Sequence, residues 1–261
     1  MVAKIPQSTA QDAYKFLSSY QGLTDDITYG LKYKRWLNDA DSLIKQGIVT
    51  EGYLLRAFVN ILQGDLKNAV KNAKYASQSS DEIAIYNYAL LLNKNGDFSE
   101  SLKIVEGLIA HNPADISAFD LIETNKMCLL DADGLNDILA KFKGSEHHFN
   151  DLSQSFAKSV TRINHHHVML NELNFDLDLF IKFNQEVFCF IYSRYCGNIS
   201  HRLSMIETEM GKQLEYCFYL NNVSIDECLQ LNDDFLDVML DKFDFNDCQK
   251  IVIRFMPKGL Q

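Results

Sequence analysis

Proline is nearly absent from this chain. Three prolines and twelve glycines in 261 residues leave no Pro- or Gly-rich stretch that could act as a linker, so long helices with short connections are expected. No run of about 18 consecutive apolar residues occurs, which leaves no candidate for a membrane-spanning helix. Met1 to Gln11 is mixed and polar and lacks the apolar core of a signal peptide. Positive charge is also scarce: 25 Lys and Arg stand against 35 Asp and Glu, for a net charge of -10. No basic cluster breaks that background for more than a few residues, so direct nucleic-acid binding is not expected. The six cysteines, Cys128, Cys189, Cys196, Cys217, Cys228 and Cys248, include no C-x-x-C pair. They read as reduced, mostly buried thiols, and a reducing cytoplasm is the expected compartment.

What is present is ordinary for a globular protein: 47% hydrophobic and 23% charged residues, enough apolar material for one large domain or two modest ones. Thr9, with Asp12 three residues on, can cap a first helix that Gly22 ends. Thr24 opens a second, with Ile27, Leu31, Trp36, Leu37, Ala40, Leu43 and Ile44 as its apolar face and Gly47 as its stop. Thr50 caps a third helix to Gln63, the turn Gly64-Asp65-Leu66 follows, and Lys67 to Ala76 form its partner. Ser80 then caps a further helix pair from Glu82 to Pro113, bent at Asn95-Gly96-Asp97-Phe98.

The two pairs echo each other at a spacing of 32 residues. Tyr53 matches Ile85, Ala57 matches Ala89, Gly64 matches Gly96, Asp65 matches Asp97, Leu66 matches Phe98 and Ala73 matches Val105. Small residues at Ala57 and Ala89 let paired helices approach closely, and each glycine supplies the left-handed conformation that ends a helix. A looser third copy runs from Ile116 to Phe142 through the irregular turn Asp131-Ala132-Asp133-Gly134.

The run from Gly96-Asp97-Phe98-Ser99-Glu100-Ser101-Leu102 to Asn112-Pro113 resembles a tetratricopeptide repeat, and residues about 50 to 142 carry the resemblance. It implies a superhelical binding surface and no particular activity. It also implies which positions line the groove: Glu51, Leu54, Phe58, Ile61 and Leu62 in the first copy, and Ile83, Tyr86, Leu90, Asn93 and Lys94 in the second. Members that clamp a peptide's terminal carboxylate carry Lys and Asn where this chain has Leu54, Phe58, Tyr86 and Leu90. An apolar groove favours an amphipathic helix or a hydrophobic segment as ligand.

Gly144 to Asp151 is the expected boundary between a helical repeat domain, 1–145, and a second domain, 150–261. Leu152, Phe156, Val160 and Ile163 recur at helical spacing behind Asn150 or Asp151. The period then changes. Leu173, Phe175, Leu177 and Leu179 alternate with Asn174, Asp176 and Asp178 and read as a strand, as does the aromatic and β-branched run Glu186 to Tyr195. Arg202 to Glu209, Leu214 to Leu220 and Lys250 to Met256 complete a set of strands. Ser224 with Glu227 forms a capping box for a helix through Phe243, with Ile225, Cys228, Leu229, Phe235, Leu236, Met239, Leu240 and Phe243 as its apolar stripe. The fold class is therefore α+β: a helical repeat layer, then an antiparallel sheet with one packed helix.

No constellation specifies chemistry. His165-His166-His167 are consecutive, so their rings diverge by about 100° on a helix, which does not suit one metal ion. Arg194, His201, Arg202, Glu207 and Glu209 lack a nucleophile motif, a metal-ligand spacing or a phosphate-binding loop, and read as cross-strand charge pairs. Asp226, Glu227, Asp233, Asp234, Asp237 and Asp241 read as a solvated acidic face, with docking of a basic partner as the alternative. The expectation is a non-enzymatic adaptor without cofactor or metal, binding protein partners through Leu54, Phe58, Ile61, Tyr86, Leu90 and Asn93. Two other functions compete: a dedicated chaperone or neutralising partner of one effector protein, and an enzyme with its site in the C-terminal α+β region. The groove filled by the chain's own N-terminal helices or C-terminal half is the competing structural outcome.

Overall fold

The computed structural model describes residues 8–24, 27–209 and 211–259. The cap expected at Thr9 and the inward position expected for Ile27 fall on side chains outside the described ones. Helix α1 (Ser8–Ser19) leads into a two-residue strand β1 (Gly22–Leu23), a 3-10 turn (Ile27–Tyr29) and α2 (Gly30–Lys45). The inward face of α2 is Tyr33, Trp36, Ala40 and Leu43, whereas Leu31 is 87% exposed and takes no part in it.

Two helix pairs follow, α3 (Val49–Leu62) with α4 (Leu66–Ala76) and α5 (Glu82–Lys94) with α6 (Phe98–His111). Their bounds repeat the 32-residue echo almost residue for residue, except that α6 runs past the end matching α4, and Ala57, Ala69, Ala73 and Ala89 are fully buried where the helices meet. Asp65 caps α4, and Asp81, not Ser80, caps α5 by accepting from the Ile83 amide. The third copy keeps its first helix, α7 (Ile116–Cys128), but its second is the five-residue α8 (Leu135–Leu139). The layer is thus a run of consecutive packed helices. Buried polar side chains pin its register: Asn93 Nδ2 donates to Asn125 Oδ1 at 3.0 Å, Asn125 Nδ2 donates to Ser101 Oγ at 2.9 Å, and Ser101 Oγ donates to the Ala89 carbonyl.

The next segment departs from the expected strands. The helix begun by Ser145 runs unbroken through the three histidines as α9 (Glu146–Glu172). Residues 173–179 are a turn and the start of α10 (Leu177–Arg194), with Asp176 as its N-cap and Asn174 at φ +45°. The run Glu186 to Tyr195 is helix rather than strand. Its aromatic and β-branched residues are there because α10 is enclosed on several sides, with Phe180, Phe183, Val187, Phe188, Phe190 and Ile191 all buried. A helix covered all round loses its polar face, and periodicity then no longer separates it from a buried strand.

A two-residue strand β2 (Tyr195–Cys196) pairs antiparallel with β1, stitching the N-terminal segment to the end of α10. Thr24 reinforces the seam through bonds to the Arg194 and Ser193 carbonyls, and Asn221 donates to Gln21. The sheet proper is β3 (Ser200–Thr208), β4 (Gly211–Leu220) and β5 (Ile251–Pro257), in the order β3-β4-β5. The fold is α+β, but the sheet is mixed: β3 and β4 form an antiparallel hairpin, while β4 and β5 run parallel. The connection between β4 and β5 is α11 (Ile225–Lys242) with the short α12 (Phe245–Cys248), and a helical crossover returns a chain in the same direction. The Ser224–Glu227 capping box opens α11 as the sequence indicates.

One hydrophobic core extends from Ala89 in α5 to Phe255 in β5. Within it Phe183 stacks on Phe243 with ring centroids 3.9 Å apart, and Phe190, Phe235 and Phe255 form a cluster. All six cysteines are free thiols, four of them buried. No described helix is long and apolar enough to cross a membrane.

Candidate binding groove

Helix α1 decides what remains of the groove. Its inward residues Ala13, Phe16 and Leu17 rest on α3 and α2, with Phe16 edge-on to Trp36 at 5.7 Å. Tyr14 meets Phe58 at 5.5 Å. Leu54, Phe58 and Ile61 are consequently buried, at 8%, 7% and 6% exposure. For the first copy the self-filled outcome holds: Leu54 is not a free groove residue, and Phe58 and Ile61 reach open space only at one end.

The second copy is different. Ile83, Tyr86, Asn87, Leu90 and Lys94 form one stripe along α5, because positions three and four apart share a helix face. Ile83 is 68% exposed, and Tyr86 and Leu90 are half-buried. Burial and the nearby carboxylates of Asp115 and Asp120, with Tyr14 across the groove, push the Tyr86 hydroxyl up to about 12. Asn93 does not belong to this stripe. It points into the helix interface and is committed to Asn125, so its expected partner-binding role is corrected to a structural one.

The stripe deepens toward its C-terminal end. There a cavity of about 170 Å³ opens between α1, α3, α5 and the α10–β2 junction, lined by Tyr14, Phe58, Leu90, Lys94, Tyr192 and Cys196 among others. Tyr192, Tyr195 and Cys196 were placed on or beside a strand by sequence reasoning and not linked to the groove. Only the stitching of β1 to β2 brings them to it, and no local pattern could have signalled that.

The other candidates for chemistry separate. The three histidines diverge: His165 is exposed, His167 Nε2 lies 2.8 Å from the Leu130 carbonyl, and His166 is buried. Arg194 lines a surface depression with Glu227 and Asp234, His201 sits against Tyr216 and Phe218, and Glu207 is exposed near the end of β3. Among the described residues no three His, Cys, Asp or Glu side chains are placed to share a metal ion. Glu215, between Arg202 and Arg254, is the centre of a charge group on the sheet.

The apolar stripe expected for α11 is also split. Cys228, Leu231, Phe235 and Met239 are buried, whereas Ile225, Leu229, Leu236 and Leu240 are 51–57% exposed beside the acidic residues. The apolar arc is wider than the surface that β5 and α10 cover.

His166 and His201 face a cavity of about 10 Å³, far too small for a substrate, with Asn184 and Tyr216. Burial lowers both imidazole pKa values to about 4; for His166 the neighbours His201, Arg162, His165 and His167 add to the effect, and for His201 Arg162 does. In the unfolded chain both titrate near pH 6.5. The unfolded state therefore binds more protons between about pH 4 and 6.5, and stability falls as pH drops through that window. Urea unfolding should show a loss of about 2–4 kcal/mol between about pH 7 and 4.5. The double variant His166→Leu/His201→Phe should flatten that slope, and an unchanged slope would assign it elsewhere.

No protein-family profile, curated protein or solved structure matches the chain.

Proposed function

We propose that the chain is a non-enzymatic protein-binding module, and that its ligand is an amphipathic helix or apolar segment of another protein laid along α5. The observation that carries this reading is the unequal treatment of two equivalent faces. The Leu54–Phe58 face of the first copy is covered by an amphipathic helix, α1, whereas on the equivalent face 32 residues on Tyr86 and Leu90 are only half-buried and Ile83 beside them is exposed. Helix α1 thus serves as an example of what such a face accepts. Asp115 and Asp120 beside Tyr86 favour basic residues flanking the apolar ones, since complementary charge steers encounter. The packed helix pairs support the resemblance to tetratricopeptide repeats, in which the first helix of each pair lines the groove. An adaptor with several partners is the favoured form, and a chaperone or neutralising protein with one stoichiometric partner is the other.

The test compares Ile83→Asp and Leu90→Asp with the wild type in affinity capture from the native source, followed by titration of the captured partner. Ile83 is exposed, so its replacement should shift stability by no more than about 0.5 kcal/mol, while losing an apolar anchor should weaken partner binding about tenfold or more. Unchanged affinity in both variants would remove the α5 stripe as the binding surface.

A further inference from the structure

Lys94 lies at the deep end of the α5 stripe, its ammonium 3.7 Å from the centre of the Tyr192 ring. Among the described residues it has neither a carboxylate nor a hydrogen-bond partner. Two other sheltered cations are matched by acidic partners: Lys126 is buried against Asp131 and the Asp133 carbonyl, and Arg56 bonds Asp41. The contrast is notable in a chain with ten more acidic than basic residues, because no Asp or Glu among the described residues lines this cavity. Burial lowers the Lys94 pKa to about 8, so at neutral pH the group is still mostly charged. The neighbouring Cys196 thiol is pushed up to about 12 by burial and stays neutral, so it supplies no anion. A partly desolvated ammonium without a partner among the described residues is a cost that an incoming anion would relieve.

We infer that this cavity is a small-molecule site for an apolar monocarboxylate, with the acid group on Lys94 and the hydrocarbon part among Tyr14, Phe58, Leu90 and Tyr192. A cavity of about 170 Å³ is slightly larger than one that holds a benzene ring, which suits one aromatic ring or a short alkyl chain carrying an acid. Aromatic and aliphatic walls with one convergent charge are the composition of ligand sites generally. The site has contributions from three parts of the chain: α1, the repeat helices, and the α10–β2 junction. Occupancy would therefore brace α1 against the end of α10. This inference goes beyond the protein-binding reading and fails separately from it, because it depends on Lys94 and not on Ile83.

The experiment titrates the full chain with phenylacetate and octanoate, using phenylacetamide as the neutral isostere, followed by calorimetry and by melting temperature. At least one acid should bind and raise the melting temperature, the amide should bind about tenfold more weakly or worse, and Lys94→Met should lose a similar factor for the acid. Lys94→Arg, which keeps the cation, should retain binding in part. A readout on the wild type guards against a misfolded variant: with 13C-labelled lysine, the signal that titrates near pH 8 should move to higher pH when the acid is bound. Equal binding of acid and amide, undiminished binding by Lys94→Met, or no binding of either acid at about 10 mM, a binding energy under about 3 kcal/mol, would overturn the inference.

Discussion

Replacing Gly96 by alanine should destabilise the protein by about 3 kcal/mol or more. Gly96 ends α5 at φ +83°, where a Cβ adds steric strain of roughly 1–2 kcal/mol. The larger effect comes from α10. A Cβ on Gly96 would lie 2.5 Å from the Gln185 carbonyl oxygen and 2.8 Å from its Cα. These are backbone atoms of a helix whose Phe188 meets Phe98 edge-on at 5.2 Å, two residues beyond the glycine. The new methyl can be housed only by backing α10 away from the repeat layer, and overpacking of this kind costs about 1–3 kcal/mol more. Gly64→Ala should behave alike, since its Cβ would lie 2.5 Å from the Ser193 carbonyl oxygen. Gly107→Ala is the control of opposite sign. It sits within α6 with no neighbour within 4 Å of the added carbon, and should stabilise by about 0.5–1 kcal/mol. Urea unfolding of the three variants checks the set. Equal stabilities for Gly96→Ala and Gly107→Ala would mean that α10 does not rest on the repeat turns.

Phe58→Ala should cost about 3–5 kcal/mol of stability. The side chain is 7% exposed, packs with Leu54, Ala76 and Ala84 under Leu17, and holds the ring of Tyr14. Truncation leaves a void beneath α1 and removes one of its anchors. The same variant should therefore expose residues 8–19 to limited proteolysis sooner than the rest of the chain. If stability stays within about 0.5 kcal/mol of wild type and proteolysis is unaltered, α1 does not occupy the first copy's face in solution. The groove would then be open across both copies, and a partner would have a longer surface to use.

Local signals were sufficient for the elements whose features lie within a few residues of one another. The glycine turns at Gly64 and Gly96, the alanines at Ala57 and Ala89, and the 32-residue spacing placed four helices closely. The Ser224–Glu227 box placed the start of α11 for the same reason, as cap and capped amide are three residues apart. The strands β3 and β4 lie where the runs Arg202 to Glu209 and Leu214 to Leu220 were read as strands.

Reading failed where burial came from a distant part of the chain. The run 186–195 has the composition of a strand because α10 is enclosed by the repeat turns, α11 and the sheet, and no sequence window contains those neighbours. Asp176 looked like the polar half of an alternation but is a helix cap. Asn93 shares its spacing with groove residues yet bonds Asn125, a contact decided by how α5 and α7 pack. Ile225, Leu229, Leu236 and Leu240 match a core pattern, and only the width of the surface beneath α11 leaves them outside.

The sequence by itself determined the succession of packed helices, the α+β class, the acidic balance and the apolar character of the α5 stripe, because each follows from periodicity, capping or composition. The tertiary structure alone decided that α1 closes the first copy's face, that β5 runs parallel to β4, and that Lys94 faces Tyr192 and Cys196 across the end of the groove. Those outcomes depend on contacts between segments distant in the chain, or on a helical crossover between strands, and neither leaves a local trace in the order of residues.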